Sequence, residues 1–190
     1  MTNRFDHFSH LAPFYDRAIP FTAAMDLVKY GQLGADDLVL DAGGGTGRVA
    51  EAISSHVRKV VIADLSRGML LEADSKGIEA ILSPVESLPF SEGVFTRAIM
   101  TDALHHVINH QRAADEMWRV LAPGGIIIIQ EPNIKKFGVK LIALVEKIAL
   151  MRSHFLDSAQ IQALFSNKAC ELVQIEDGNS TWVIIKKSTR

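Results

Sequence analysis

The sequence predicts an α/β fold in three layers, a mostly parallel seven-stranded sheet between helices, ending in a C-terminal antiparallel hairpin. Two observations carry this. Short apolar, β-branched runs near 37–41, 59–63, 78–82, 95–101 and 126–130 alternate with helical patterns near 47–56, 67–76 and 110–121. Such alternation folds into right-handed crossovers and a parallel sheet. Two more strand-like runs, near 171–176 and 181–187, flank Asp177-Gly178-Asn179 with no helix between them, which reads as a hairpin.

The chain has 190 residues and is 48% hydrophobic, enough for one sizeable core and short for two. A single domain over 1–190 is expected, with 1–31 as a capping arm and helix. A formal net charge of -2 provides no basic field to draw the protein onto nucleic acid, so no nucleic-acid partner is expected. The one cysteine, Cys170, excludes an intrachain disulfide and a multi-thiolate metal site; it reads as a packed strand residue. Met1-Thr2-Asn3-Arg4-Phe5-Asp6 lacks the apolar core of an export signal, which points to a cytoplasmic protein without a transmembrane segment.

The first strand runs through Val39 and Leu40 to Asp41 and is followed by Gly43, Gly45 and Gly47, after which the helical pattern begins. A glycine-dense turn from strand to helix leaves amides and an open floor for a flat, polar ligand. The dinucleotide fingerprint requires a small residue at position 48, where this chain has Arg48. The phosphate loop requires a Lys-Ser or Lys-Thr pair, and none follows the glycines. The second strand, Val60 to Ala63, closes on Asp64, about 20 residues further on, where a carboxylate can accept both hydroxyls of a ribose. Asp64 would equally cap the helix that starts near Ser66.

Later landmarks follow in order: Glu86-Ser87-Leu88-Pro89-Phe90, Ala98-Ile99-Met100, Ala103-Leu104-His105-His106-Val107, and Met117-Trp118-Arg119-Val120-Leu121-Ala122-Pro123-Gly124-Gly125 before four isoleucines. Pro123-Gly124-Gly125 reads as a stop to the helix and a turn into a buried strand. With Asp41, the three glycines and Asp64, this series resembles the class I S-adenosylmethionine-dependent methyltransferases, in the subgroup that includes ubiquinone and menaquinone biosynthesis enzymes.

The resemblance implies a Rossmann-like sandwich, S-adenosylmethionine as cofactor and methyl transfer to a small, apolar or aromatic acceptor. It implies that Asp41 and the amides around Gly43, Gly45 and Gly47 face the amino-acid end of the cofactor and that Asp64 takes the ribose. Leu65 and Met69 would wall the adenine beside the backbone of Val85 and Glu86, and Thr101 would stand beside the cofactor. Tyr15, in Phe14-Tyr15-Asp16, would reach the cofactor carboxylate or simply pack its ring. The family's usual adenine-binding Asp falls at Pro84, which offers neither a side-chain acceptor nor an amide hydrogen. The expected weakening of cofactor binding is roughly tenfold. Phe95-Thr96, where the family commonly has Phe-Asp, reads as a scaffold change.

Transfer from a sulfonium needs a base only where the acceptor loses a proton, and His is then the natural group. His105 and His106, after the fourth strand, are the catalytic candidates, with a loop-holding role as the alternative; Glu131 would orient an acceptor or hold a turn. His7, His10 and His154 form no metal-ligand spacing, so no metal is expected. The helical pattern at 134–151, within a substrate-side segment 134–156, is apolar over most of its surface. That surface suits burial, a self-association or membrane-surface face, or an acceptor pocket, and leaves a homodimer open. Two other functions compete: a non-catalytic S-adenosylmethionine-binding module, and an NAD-dependent oxidoreductase, against which Arg48 speaks.

Overall fold

The computed structural model describes residues 12, 15, 16, 20–132, 154–178 and 180–189. In chain order they form α1 (Ala24–Gly31), β1 (Leu38–Ala42), α2 (Arg48–Ile53), β2 (Lys59–Asp64), α3 (Arg67–Ser75), β3 (Glu79–Leu82), β4 (Phe95–Thr101), α4 (His110–Val120), β5 (Leu121–Pro132), α5 (Ser158–Ala163), β6 (Cys170–Asp177) and β7 (Ser180–Lys187). Short 3-10 turns occupy Ser54–His56 and Leu104–His106. The expected helix at 134–151, His7, His10 and most of the arm at 1–31 lie outside the described residues.

The strands form one seven-stranded sheet in the order β3-β2-β1-β4-β5-β7-β6. The first five are parallel, and β7 runs antiparallel to both β5 and β6. This is the α/β, mostly parallel architecture expected from the sequence, with the hairpin returning its last strand into the sheet. Strand order reverses between β1 and β4, which opens a crevice at the carboxyl ends of these strands.

Side chains alternate between the two faces of the sheet, and each face has its own core. Leu40, Ala98, Met100, Ile127 and Ile129 pack with Met117 of α4 and Ile161 of α5. Val39, Ile62, Ile99, Ile126 and Ile128 pack with Leu27 of α1 and with Val49 and Ile53 of α2. The isoleucine run is therefore continuous because β5 is covered on both sides.

One boundary differs from the sequence reading. The chain enters β5 at Leu121, directly after α4, and Pro123-Gly124-Gly125 lies inside the strand instead of before it. The register shifts between Phe95↔Leu121 and Arg97↔Ile126, so the intervening residues form an irregular bulge. Gly124 has φ +75°, and a Cβ on Gly125 would come within 2.8 Å of the Thr96 carbonyl. The glycines permit the bulge, which local sequence cannot distinguish from a turn.

Thr96 also has a definite task. Its hydroxyl donates to Asp37 Oδ1 at 2.7 Å and accepts the Leu38 amide at 3.0 Å, clipping the start of β4 to that of β1. Among the described residues no helix is long and apolar enough to cross a membrane.

Candidate functional site

The loop from β1 to α2 uses each glycine differently. Gly43, Gly45 and Gly47 all have positive φ, at +76°, +54° and +78°. A Cβ on Gly47 would meet Ile78 Cδ1 at 2.8 Å and Ile62 Cδ1 at 3.2 Å, so this glycine lets α2 sit close on the sheet. A Cβ on Gly43 would meet Ala103 at 2.7 Å. At Gly45 the nearest atoms are Asp64 Oδ2 and Met69 Sδ, both 4.0 Å away. A side chain there would fill open crevice, not strike the protein.

Asp64, at the tip of β2, fixes that crevice. Its Oδ2 accepts the Gly45 amide at 3.0 Å and its Oδ1 accepts the Ser66 amide at 2.7 Å. Ser66 is the N-cap of α3, its hydroxyl accepting from the Met69 amide. Ser66, not Asp64, is therefore the cap itself, and the Asp64 carboxylate braces this helix entry while lying against the glycine loop.

Asp41 is almost fully buried, and its Oδ2 has no hydrogen-bond partner among the described residues. Burial pushes its carboxyl up to about 7; the Arg48 guanidinium opposes the rise and the Asp64 carboxylate adds to it. Thr101 Oγ1 and Gln130 Oε1 are likewise buried without partners among the described residues. Thr101 pairs with Gln130 across β4 and β5. These unanswered oxygens at the carboxyl ends of β1, β4 and β5 are suited to a ligand that brings hydrogen-bond donors, such as an ammonium group.

Arg48, which stands where the dinucleotide fingerprint has a small residue, organises the opposite wall. Its guanidinium pairs with Asp102 at 2.9 Å and lies over the rings of Tyr15, at 5.8 Å, and Phe21, at 5.7 Å. Asp102 itself has φ +51°. Beside Tyr15, Asp16 accepts the hydroxyl of Thr46 and the ammonium of Lys76. Tyr15 is thus placed at the loop, on Arg48. The contacts of Arg48, Asp16 and Lys76 were not legible in the sequence, because they join positions with no periodic relation.

Val85 is buried, whereas Leu65 is 59% exposed at the crevice rim. Glu86 spends its carboxylate on the amides of Ile108 and Asn109, and its carbonyl accepts from Arg112 Nε at 2.8 Å. Pro84 stands in the turn between β3 and this segment, its carbonyl accepting the Ser87 amide at 3.0 Å.

On the other face, Glu131 Oε1 accepts the amides of Ala103 and Leu104 at 3.0 and 2.8 Å, and Oε2 lies 2.5 Å from His105 Nδ1. His105 and Glu131 are both buried. The His105 ring stacks on Phe155 at 4.4 Å and lies 4.0 Å from that of His106. Burial, with His105 alongside, pushes the His106 imidazole down to about 3. Phe155 was not anticipated, and nothing in its local sequence marks it. No group of three or more His, Cys, Asp or Glu among the described residues could hold a metal ion. A hollow of about 380 Å³ lined by Leu38, Lys59, Glu79 and Phe95 opens at the amino ends of the strands and contains none of the groups above.

Comparison with known proteins gives this geometry a family context. Residues 40–129 match the methyltransferase domain family. The chain is 33% identical over 122 residues to a demethylmenaquinone methyltransferase of Mycolicibacterium vanbaalenii, a match covering 64% of this chain and 53% of that protein. It is 36% identical over 104 residues to a ubiquinone/menaquinone biosynthesis C-methyltransferase of Coxiella burnetii, covering 49% and 42%. The chain thus spans about half the length of these relatives. The crystal structure of the YcgJ protein of Bacillus subtilis superposes with a TM-score of 0.75 at 18% identity, covering 87% of this chain and 98% of that one, which supports the fold.

Proposed function

We infer that the matched segment, residues 40–129, is a methyltransferase domain of the class I S-adenosylmethionine-dependent kind, resembling the ubiquinone and menaquinone branch. From that premise we propose that the protein transfers a methyl group from S-adenosylmethionine to a small, apolar or aromatic acceptor. The observation that carries the proposal is the position of Asp64. Its carboxylate faces the open floor at Gly45, with one amide already fixed on each oxygen. Asp64 would hold the ribose diol. The donor-hungry oxygen of buried Asp41 suits the ammonium of the methionyl tail, and Met69 with Leu65 offers apolar surface to the base. Tyr15 over Arg48 closes the methionyl end.

The cofactor, when bound, supplies a methyl group activated by its sulfonium. The protein's own part is to align donor and acceptor and keep water out. The acceptor class rests on the names of the curated relatives, both quinone-biosynthesis methyltransferases. The setting this reading assumes is cytoplasmic, with a small-molecule acceptor and no nucleic-acid partner.

Isothermal titration should show saturable S-adenosylmethionine binding that Asp64→Ala weakens by roughly tenfold or more. Absence of binding by the wild type overturns the proposal. Pro84, at the place of the usual adenine acceptor, favours a second reading, a binding module without turnover. Release of S-adenosylhomocysteine across quinol, phenol, amine and lipid acceptors separates the two, and silence with every acceptor favours the module.

A further inference from the structure

We propose that Arg48 receives the carboxylate of the cofactor's amino-acid end, and that Asp102 is a positioning residue that holds the Arg48 guanidinium apart from Asp41, so that a base and an acid stand ready for one zwitterion. The inference rests on the methyltransferase reading and adds a specificity to it: the site selects S-adenosylmethionine over its decarboxylated form.

Arg48 opens α2, and its Nη2 reaches Oδ2 of Asp102, the residue after β4, at 2.9 Å. The side chain thus spans from the loop that leaves β1 to the end of β4, across the point where strand order reverses and the crevice opens. It is only 10% exposed. A guanidinium carries five N–H donors, and the bond to Asp102 is the one hydrogen bond that Arg48 makes among the described residues. Its Nε and Nη1 groups find no acceptor there. The rings of Tyr15 and Phe21, 5.8 and 5.7 Å from Cζ, favour the positive charge without neutralising it. A nearly buried cation with unanswered donors calls for an anion, and the planar fork suits a carboxylate.

Asp41, at the other end of the glycine loop, is the complementary half. Its Oδ2 is buried without a hydrogen-bond partner among the described residues, so the two groups do not bond to each other. They are nevertheless near: the Arg48 charge works against the rise that burial imposes on the Asp41 carboxyl, and the Asp64 carboxylate adds to that rise. An arginine left free beside a buried carboxylate closes into a charge-assisted pair. Asp102 prevents this by holding Nη2 at the end of β4, and it does so from a left-handed backbone, φ +51°, that costs a non-glycine residue some strain. Thr101 Oγ1 and Gln130 Oε1, also buried and unanswered among the described residues, lie on the same face of the sheet as Asp41. Acceptors on the strands and donors on Arg48 match an α-amino acid, whose ammonium and carboxylate leave one carbon. A ligand with the ammonium alone leaves the guanidinium donors unmet, which is the basis of the selectivity.

The test needs no turnover. Isothermal titration of the full chain compares two ligands that differ only in the carboxylate, S-adenosylmethionine and decarboxylated S-adenosylmethionine. Wild type should prefer the first by about ten- to a hundredfold, a comparison that depends on no variant folding. Arg48→Met, or the milder Arg48→Gln, should erase that preference by weakening S-adenosylmethionine alone, with the decarboxylated form held within about threefold of wild type. Asp102→Asn should instead weaken both forms by about tenfold, since the freed guanidinium closes on Asp41 and competes with the ammonium. Wild type that binds both forms alike, or Arg48 variants that weaken both equally, overturns the carboxylate role in favour of a structural one. Asp102→Asn that binds both forms as wild type does overturns the positioning role. Each of these failures leaves the methyltransferase reading intact, whereas wild type that binds neither form overturns the reading itself.

Discussion

Gly45 donates its amide to Oδ2 of Asp64 at 3.0 Å, joining the loop that leaves β1 to the tip of β2. The carboxylate is therefore both a structural acceptor and a candidate ligand-binding group. Asp64→Asn places an NH₂ where one of two amide donors must be accepted, and leaving such a donor unsatisfied costs about 1–3 kcal/mol. Urea unfolding of the free protein should show that loss, and titration calorimetry should show a separate fall in cofactor affinity of about tenfold. Weaker binding with unchanged stability would refute the joint role.

The glycines of the loop separate stability from binding. Gly47→Ala combines a φ of +78° with a Cβ 2.8 Å from Ile78, so strain and overpacking together should cost about 2–4 kcal/mol. Gly45→Ala carries backbone strain alone, at about 1 kcal/mol, but projects its methyl into the crevice. Thermal melts should rank Gly47→Ala as the less stable variant, while calorimetry ranks Gly45→Ala as the weaker binder for its stability. The reverse order in both measurements would remove the assignment of the crevice floor to Gly45.

Both positions show what the sequence makes legible. Strand, glycine turn and terminal acid are local signals, and Gly43, Gly45, Gly47, Asp41 and Asp64 all fall where their spacing placed them. Thr96 and Arg48 were visible only as departures from a pattern. Their partners, Asp37 and Asp102, lie across the sheet, and pairwise contacts at long separation leave no periodic trace. The His105–Glu131 contact is of the same kind: both residues stood out by position, and only the register of β4 against β5 brings them to 2.5 Å. The bulge at Pro123 looks like a turn in the sequence because Pro and Gly mark breaks in either context.

Two buried groups should shape the pH dependence of stability, with opposite signs. Asp41 rises from 3.8 to about 7 on burial. Below its unfolded pKa both states are protonated and nothing is lost. From there up to about 7 the unfolded chain binds fewer protons than the folded one, so stability falls as pH rises, by up to about 4 kcal/mol at 1.36 kcal/mol per unit. His106 falls from 6.5 to about 3, so its contribution is full above 6.5 and is lost as pH drops towards 3. Asp41→Asn should therefore be more stable than wild type at pH 8 and lose that advantage by pH 4, while His106→Gln flattens the acid side. Urea midpoints across this range decide it, and an Asp41→Asn variant less stable than wild type at pH 8 would contradict the buried, unanswered carboxylate. The same variant should bind S-adenosylmethionine more weakly, since an ammonium no longer meets a charge.

Asp16 serves two partners of different worth, and the difference is measurable. It accepts the hydroxyl of Thr46, which is buried in the glycine loop, and the ammonium of Lys76, which also reaches Glu51 at 3.2 Å. Burial works against the charge on Lys76, yet its hydrogen bonds to Asp16 and Glu51 outweigh that, and its pKa is raised. A partly exposed ion pair contributes about 0–1 kcal/mol and is screened by salt. A buried hydroxyl left without its acceptor costs about 1–3 kcal/mol and is insensitive to salt. Lys76→Met should consequently cost less than about 1 kcal/mol, shrinking further in 1 M salt, whereas Asp16→Ala should cost about 1–3 kcal/mol at either ionic strength. Denaturation of both variants at low and high salt tests the ordering. Equal, salt-sensitive losses would show that the lysine, and not the threonine, holds Asp16 on the loop.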